Sequence, residues 1–520
     1  MRPPQEIELK LNIAPAAIGE LPRSAALQGR ARPRTKNIVS VYFDTPGFKL
    51  RKSGFTLRVR RDGRRRLQTV KQESNGSSLL TRNEWERAIH SSEPDLDAAR
   101  DTGLKPVLSK KIARKLKPLF ETSVRRTIFP LHDGQTEIEL TLDEGRVAAG
   151  RKASAFSEVE LELKSGAPAD LFKVARALGR DVPVHLSLRT KSERGYDLVD
   201  GKRASPIKAL PVALTDDLTA APALQAIARA CLHQLVANYS LIRLNQPEAV
   251  HQTRIAVRRL RTALSLFSPM LTDTQTQELK AQLRWLTDEL SAARELDVFI
   301  AGVVKPMAKN GGDRAGLAAL LKDLSKRRAQ AYARVHSAIN SFLFRDLVLN
   351  IAAWIEVGDW TKNADELAAA MRQRPIVETA IEELQHRRKK IYKRAGQLRK
   401  LSPQRRHKLR IQAKKVRYAA EFFASLFSGK KEEKRRKAFI AALERLQDTL
   451  GDLNDITVHE DLTVGLAQVR GVNGRGKTVR PRKAFAAGQL SGYEQARMAS
   501  VLRDAEDAAR AFARAKPFWS

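Results

Sequence analysis

In EIELKL, residues 6 to 11, charged and apolar side chains alternate without a break. An extended strand sends successive side chains to opposite faces, so Glu6, Glu8 and Lys10 share one face and Ile7, Leu9 and Leu11 the other. A sheet built from such strands must bury one face and find a use for a fully charged one. The pattern recurs in TLRVRR, TEIELTLD and SEVELELK. It places Arg58 with Arg60, Glu137 and Glu139 with Asp143, and Glu158, Glu160 and Glu162 with Lys164. Taken alone, each face reads as the solvated side of an antiparallel sheet. Together, with carboxylates on some strands and Arg or Lys on others, they suggest faces that meet inside a closed sheet. That interior cannot be a dry core, because unpaired buried charge costs too much. It would be a wet channel holding a ligand.

A triphosphate carrying magnesium suits such a channel. Arg and Lys take phosphate oxygens, while paired carboxylates take a hard cation whose other ligands are phosphate and water. The chemistry expected is metal-assisted phosphoryl transfer to water, one metal neutralising the phosphates and a second acidifying the attacking water.

Near residue 200 the period changes. GKRASPIKALPVALTDDLTAAPAL, from Gly201, has prolines and no sustained period, and reads as a linker. From Leu224 to about Gln468 apolar residues recur at helical spacing, and a last helix is expected near Tyr493 to Lys516. The expected fold is therefore α+β and multidomain: a β domain over residues 1–200, a linker over 201–221 and an all-α bundle over 222–515. The bundle also resembles itself. HQTRIAVRRLRTALSLF from His251 and HKLRIQAKKVRYAAEFF from His407 match at the His, the next Arg and Ile, and three later basic positions. LTDELSAARELDV from Leu286 and LQDTLGDLNDITV from Leu446 match more loosely. A duplicated helical unit explains both.

On a helix, His251, Arg254, Arg258 and Arg261 line one face beside the apolar stripe of Val250, Val257, Leu260, Leu264 and Phe267. His407, Arg410, Lys414 and Arg417 do the same in the second copy, and Arg259 and Lys415 add charge beside them. A single run of this kind is usually a solvated face. Two copies in the same order read as phosphate rails, since like charges at this spacing repel until an anion arrives. The formal net charge of +37 agrees, because such an excess of Lys and Arg implies a polyanionic partner. Aromatic residues make up only 6%, too few in the rails to support base stacking, so nucleic acid is disfavoured.

Cys231 is the only cysteine, which excludes an intrachain disulfide and a Cys-based zinc site. With neither a secretory leader nor a membrane span in view, the expectation is a cytoplasmic protein, with no membrane partner, that can associate with polyphosphate granules. GVNGRGKT, Gly471 to Thr478, fits the nucleotide P-loop letter for letter. It lacks a preceding strand and meets Pro481 too soon for a P-loop helix, so it reads as a basic loop.

EIELK with TLRVRR, the Lys of TVKQ, RNEWE, the Arg pair of SVRRTIF, TLDEG, SEVELELKSG and RTKSERGY resembles the CYTH domain of the triphosphate tunnel metalloenzymes over residues 1–200. The resemblance implies an eight-stranded antiparallel tunnel that hydrolyses inorganic triphosphate or related triphosphates with Mg2+ or Mn2+. Carried over by position, Glu6, Glu8, Glu160 and Glu162 would bind metal, beside Glu158. Lys10, Arg58, Arg60, Lys71, Arg82, Arg125, Arg189 and Lys191 would hold phosphates, and Glu6, Glu8 and Lys10 would form the catalytic centre. Glu84, Glu86, Glu139 and Asp143 would face the same channel without separate roles. The two His-led helices, with AARELDV and DLNDITV, are similar to the CHAD domain, which implies a helical module that binds inorganic polyphosphate. It would place Arg294, Asp297, Asp452, Asn454 and Asp455 where the copies meet. Alternatives are a thiamine triphosphatase, an adenylate cyclase of the same barrel class (class IV), or a non-catalytic binder of polyphosphate or nucleic acid.

Overall fold

The computed structural model describes residues 4–28, 32–73, 76, 78–202, 204–309, 313–467 and 479–519. The chain divides into two compact units, one of Met1–Pro206 with Ile339–Asp359, the other of Ile207–Ala338 with Trp360–Ser520. The P-loop-like stretch 471–478 lies outside the described residues.

The first unit is an antiparallel barrel. Its strands are β1 (Gln5–Asn12), β2 (Arg34–Asp44), β3 (Phe55–Asp62), β4 (Arg65–Gln72), β5 (Thr81–Ile89), β6 (Lys117–Asp133), β7 (Thr136–Ala149) and β8 (Lys152–Ser165), with a two-residue β9 (His185–Leu186). The sheet runs β5-β4-β3-β2-β6-β7-β8-β1, and pairing of β1 with β5 closes it, as the sequence led one to expect. β1 is shared end to end: Gln5–Ile7 pair with β5, and Leu11 and Asn12 pair with β9 on that same edge. The alternating strands turn their apolar face outward, where it is buried by other elements. Phe43, Leu57, Val59 and Val70 pack with Leu50, Ala99, Leu104 and Leu108. Leu9, Leu11, Leu140 and Leu161 are likewise buried. Helix α1 (Pro168–Asp181) buries Leu171, Phe172, Ala175 and Leu178, one face of its 3.6-residue period. Helix Phe342–Val357, far along the chain, also belongs to this unit; its Asn350 accepts from Arg176 of α1 at 3.0 Å.

Helix α2 (Lys191–Asp200) follows β9. Thr190 caps it, accepting from the Glu193 amide, and the Glu193 carboxylate accepts in return from the Thr190 amide. Gly201, left-handed at φ 65°, ends it. Tyr42 and Phe120 stack inside the barrel at 4.6 Å, and Tyr196 of α2 meets Phe120 edge-on at 5.1 Å. The Tyr196 hydroxyl donates to buried Asp44 at 2.9 Å. This aromatic plug allows no side chain at Gly195, whose Cβ would overlap the Phe120 ring.

The second unit is helical. α3 (Pro247–Leu266) is followed by a 3-10 turn at Ser268–Met270 and then α4 (Thr274–Glu289). α5 (Ile376–Ala395) precedes α6 (Pro403–Phe422), a 3-10 turn at Ala424–Leu426 and the long α7 (Lys430–Ala467). The offset that carries His251 onto His407 also carries Pro247 onto Pro403, Leu266 onto Phe422 and the first turn onto the second. Phe267 and Phe423, equivalents under that offset, meet edge-on at 6.3 Å. Equivalent residues touch only near a pseudo-twofold, as at an isologous interface. The copies differ where the first breaks at Leu290 and the second continues through α7. The last helix, Val479–Arg514, begins well before Tyr493, since Pro481 lies in its first turn, where a missing N–H is tolerated. No single helix among the described residues is long and apolar enough to cross a membrane.

Candidate functional site

The register of β1, β8 and β7 decides which carboxylates face one another inside the barrel. Glu162 lies between Glu8 and Glu139, Glu160 between Lys10 and Thr141, and Glu158 between Asn12 and Asp143. The first rung is all carboxylate. Like charges placed directly opposite on a sheet repel, and Glu162 records it. Burial pushes its carboxyl above the usual range, Glu6 and Glu139 add to the rise, and a 2.5 Å contact with Lys164 opposes it.

The other two rungs are neutralised. Lys191, reaching in from α2, places its ammonium 2.7 Å from Asp143, 2.6 Å from Glu158 and 2.9 Å from Glu160. Arg126 of β6 donates to both oxygens of Asp143, at 2.7 and 2.6 Å, and to Glu160 at 2.6 Å. Lys10 reaches Glu160 at 2.8 Å and Glu8 at 3.1 Å. Burial alone would raise the Glu160 carboxyl, yet Lys10, Lys191 and Arg126 hold it well below its ordinary range. Burial would likewise lower the Lys191 ammonium, but its three carboxylates hold it high.

Across the bore, β3, β4 and β5 present a mixed wall. Lys71 pairs with Glu6 at 2.5 Å and Glu84 at 2.7 Å. Arg82 pairs with Glu8 at 3.1 Å, and Arg58 with Glu84 at 3.5 Å. Arg60 lies 3.7 Å from Glu86, whose carboxylate also accepts from Thr69. Arg58 is buried, and its Nε and one Nη have no hydrogen-bond partner. Arg58 first, and burial second, lower the affinity of the Arg60 guanidinium for its proton, the wrong direction for a cation. Two crowded guanidiniums with unused donors ask for an oxyanion.

Most of the expected site residues therefore converge on one bore: Glu6, Glu8, Lys10, Arg58, Arg60, Lys71, Arg82, Glu160, Glu162 and Lys191, with Glu84, Glu86, Glu139, Asp143 and Glu158. Two do not. Arg125 points out of the barrel, its side chain 64% exposed beside Glu144, and Arg126 is the arginine that lines the bore. Arg189 is half exposed and paired with Asp197 of α2 at 2.6 Å. Of the four expected metal ligands, Glu160 pairs with Lys10, Arg126 and Lys191 and lies in a carboxylate group with Asp143 and Glu158, while Glu162 stands beside Glu8 and Glu139. The rung of Glu8, Glu139 and Glu162, with Glu6 near it, offers the oxygen donors a hard divalent cation prefers, with Lys10 and Arg82 paired to Glu8 and Lys164 to Glu162. Asp143, Glu158 and Glu160 form a second carboxylate group, their oxygens within 4.8 Å of one another.

In the helical unit the rails converge. His251, Arg254 and Arg258 of α3 act electrostatically on Arg410 and Lys414 of α6 and on Arg294. Burial, then Arg410 and Arg258, lower the Lys414 ammonium to about 7. Burial and Arg258 lower Arg254 to about 10, and burial and Arg294 lower His251 to about 4. Arg261 and Lys415 join a neighbouring patch with Arg387 and Lys390. Arg259 leaves the rail: it is buried, bonded to Glu421 and stacked over Phe422 at 4.7 Å, a joint between α3 and α6. Arg417 is partly spoken for by Glu421 and Glu444. Asn454 bonds His407 and Asp455 lies 3.8 Å from Arg410, whereas Asp297 turns to Arg328 and Tyr332.

Residues 4–196 match the CYTH domain family and residues 226–463 the CHAD domain family. The inorganic triphosphatase of Haemophilus influenzae is 33% identical over 195 residues, 37% of this chain and 54% of that protein. The chain thus spans about half the length of that relative. The crystal structure of the CHAD domain from the plant Ricinus communis is 29% identical, with a TM-score of 0.50, over 60% of this chain and 98% of its own.

Proposed function

For a chain that carries a CYTH domain followed by a CHAD domain, we propose hydrolysis of inorganic triphosphate in the barrel and binding of inorganic polyphosphate by the helical unit. One observation carries the first half: in a single closed ring, crowded guanidiniums of β3 face the all-carboxylate rung of β1, β8 and β7. Its support from outside the geometry is the likeness to a protein named inorganic triphosphatase.

Mg2+ or Mn2+ would be held among the bore carboxylates, Glu6, Glu8 and Glu162 beside the group of Asp143, Glu158 and Glu160 whose oxygens lie within 4.8 Å of one another, and would neutralise phosphate charge and acidify a water. The remaining work falls to the chain. Arg58, Arg60, Lys71, Arg82 and Arg126 line the bore and can exchange a carboxylate partner for a phosphate oxygen, so each buried cation stays neutralised as substrate enters. Lys71 is central, because releasing Glu6 for the cation frees its ammonium for phosphate. Lys10 pairs with Glu8 and helps hold the Glu160 carboxyl well below its ordinary range. The plug of Tyr42, Phe120 and Tyr196 excludes water from one end.

The helical unit offers cations that repel one another until an anion compensates them, which supports polyphosphate as its ligand. The test is phosphate release from tripolyphosphate by the full chain with Mg2+ or Mn2+, run beside thiamine triphosphate and ATP. Expected is phosphate from tripolyphosphate, abolished in Glu6→Gln while the circular dichroism spectrum is unchanged. Normal turnover by Glu6→Gln would refute the site, and cyclic nucleotide from ATP would point to the cyclase reading.

A further inference from the structure

We infer that Glu356, on the helix Phe342–Val357, is a positioning residue of the bore: its carboxylate clasps the turn at residues 78–80 and so sets the seam where β5 closes onto β1, which carries Glu6, Glu8 and Arg82. The inference rests on the reading of the bore as the triphosphate site and adds to it a residue from far along the chain.

The seam is thinly held. Among the described residues β1 and β5 share three residue pairs, Gln5–Ile7 with Thr81–Asn83, whereas β7 and β8 share thirteen. Two backbone bonds flank the three, from the Glu8 amide to the Leu80 carbonyl and from the Glu84 amide to the Pro4 carbonyl, each at 3.0 Å. Yet the seam carries bore residues on both strands: Arg82 stands opposite Glu6 in register and pairs with Glu8 at 3.1 Å. A sheet opens locally where its hydrogen bonds are few, so the turn that leads into β5 decides how well these side chains are placed.

That turn is organised around Ser78. Its hydroxyl oxygen accepts from the Leu80 and Thr81 amides, both at 3.0 Å. The hydroxyl donates to Glu356 at 3.0 Å, and the Leu79 amide donates to the other oxygen of the same carboxylate at 3.1 Å. One carboxylate therefore holds the turn at two points, and hydrogen bonds to an ionised acceptor are roughly twice as strong as neutral ones. Glu356 lies in the last turn of its helix, where the macrodipole disfavours negative charge, and the two donors offset that cost. The helix is a firm base: Leu347, Ile351, Trp354 and Ile355 are buried, and Asn350 accepts from Arg176 and donates to Asp346. Ser78 and Glu356 are 278 positions apart, so the bore is set in part from beyond its own strands.

The test uses the full-length chain with Mn2+ and measures tripolyphosphate turnover together with hydrogen exchange in β1 and in the stretch from Ser78 through β5. Expected for Glu356→Ala is faster exchange in both and a KM for tripolyphosphate raised about tenfold or more, with kcat changed less, because Arg82 holds phosphate before as well as during reaction. Ser78→Ala should do the same, the double variant no more than either alone, and Ser78→Thr, which keeps the hydroxyl, should match wild type. Wild-type exchange and KM in Glu356→Ala overturn the inference, and so does a lower thermal midpoint with KM unchanged, the mark of a merely structural contact. If wild type releases no phosphate from tripolyphosphate the triphosphatase reading fails instead, and exchange alone decides: faster exchange at the seam in Glu356→Ala upholds the latch and unchanged exchange overturns it. Should Glu356→Ala not fold, Glu356→Gln, which keeps one acceptor, is judged by the same two readings.

Discussion

Arg125 and Arg126 are neighbours in the sequence and face opposite sides of β6. Arg126 answers two buried carboxylates, Asp143 and Glu160, while Arg125 faces solvent beside Glu144. Removing one partner of a buried ion pair strands the other and costs about 3–5 kcal/mol, whereas a surface substitution changes stability by no more than about 0.5 kcal/mol. Arg126→Ala is therefore expected to lower both the thermal midpoint and triphosphate turnover, and Arg125→Ala neither, as differential scanning fluorimetry and phosphate release would measure. Equal effects of the two would contradict the register. The signal that finds Arg126 is in the sequence: Phe120, Thr122 and Val124 share its parity and are buried, while Glu121 shares that of Arg125 and is exposed. The Arg pair itself carries no parity, because both residues are equally polar.

At the scale of elements, α2 does what no strand can. It delivers Lys191 to Asp143, Glu158 and Glu160, Arg194 to Asn12 at 3.0 Å, and Tyr196 to the aromatic plug. Its one small residue is a requirement of packing. In a free helix Gly195→Ala would stabilise by about 1 kcal/mol. Against Phe120, wedged between Tyr42 and Tyr196, the added methyl has no room, and overpacking costs about 1–3 kcal/mol. The net sign expected is destabilisation, with Lys191 drawn away from Asp143, Glu158 and Glu160. A lower thermal midpoint and altered near-ultraviolet dichroism of the tyrosines would register it, and a stabilised variant would show that α2 does not lie against the ring. RTKSERGY gives no hint of this from its own residues. A helix and its cap can be read from Thr190 and Glu193, but the surface it meets is set by strands 70 to 150 positions away.

Over the whole molecule the excess of positive charge is concentrated by assembly. Lys414 loses affinity for its proton through burial, and through Arg410 on its own helix and Arg258 on the other repeat. An anion seated there would restore the ordinary value of 10.5, so binding takes up a proton between that value and about 7. Below about pH 7 the group is charged whether or not ligand is bound, and affinity is insensitive to it. Above about pH 7 the affinity for polyphosphate falls, by no more than about tenfold per pH unit for one coupled proton. Calorimetry in buffers of different ionisation enthalpy would detect the uptake, and Lys414→Gln should flatten the profile. The same shift lowers the stability of the ligand-free unit as pH falls from 10.5 towards 7, since the unfolded chain takes the proton first. Much of this protein is legible in the sequence alone. Alternation with a period of two gives strands with a charged face, the 3.6-residue period and the repeat give paired basic helices, and the charge gives the kind of ligand. These properties are local, or are sums over the chain. Which carboxylates stand opposite one another, which of two arginines turns inward and which cations each carboxylate meets are decided only when the barrel closes. Register and closure are contacts between distant segments, and a face known to be charged does not say which charges it will meet.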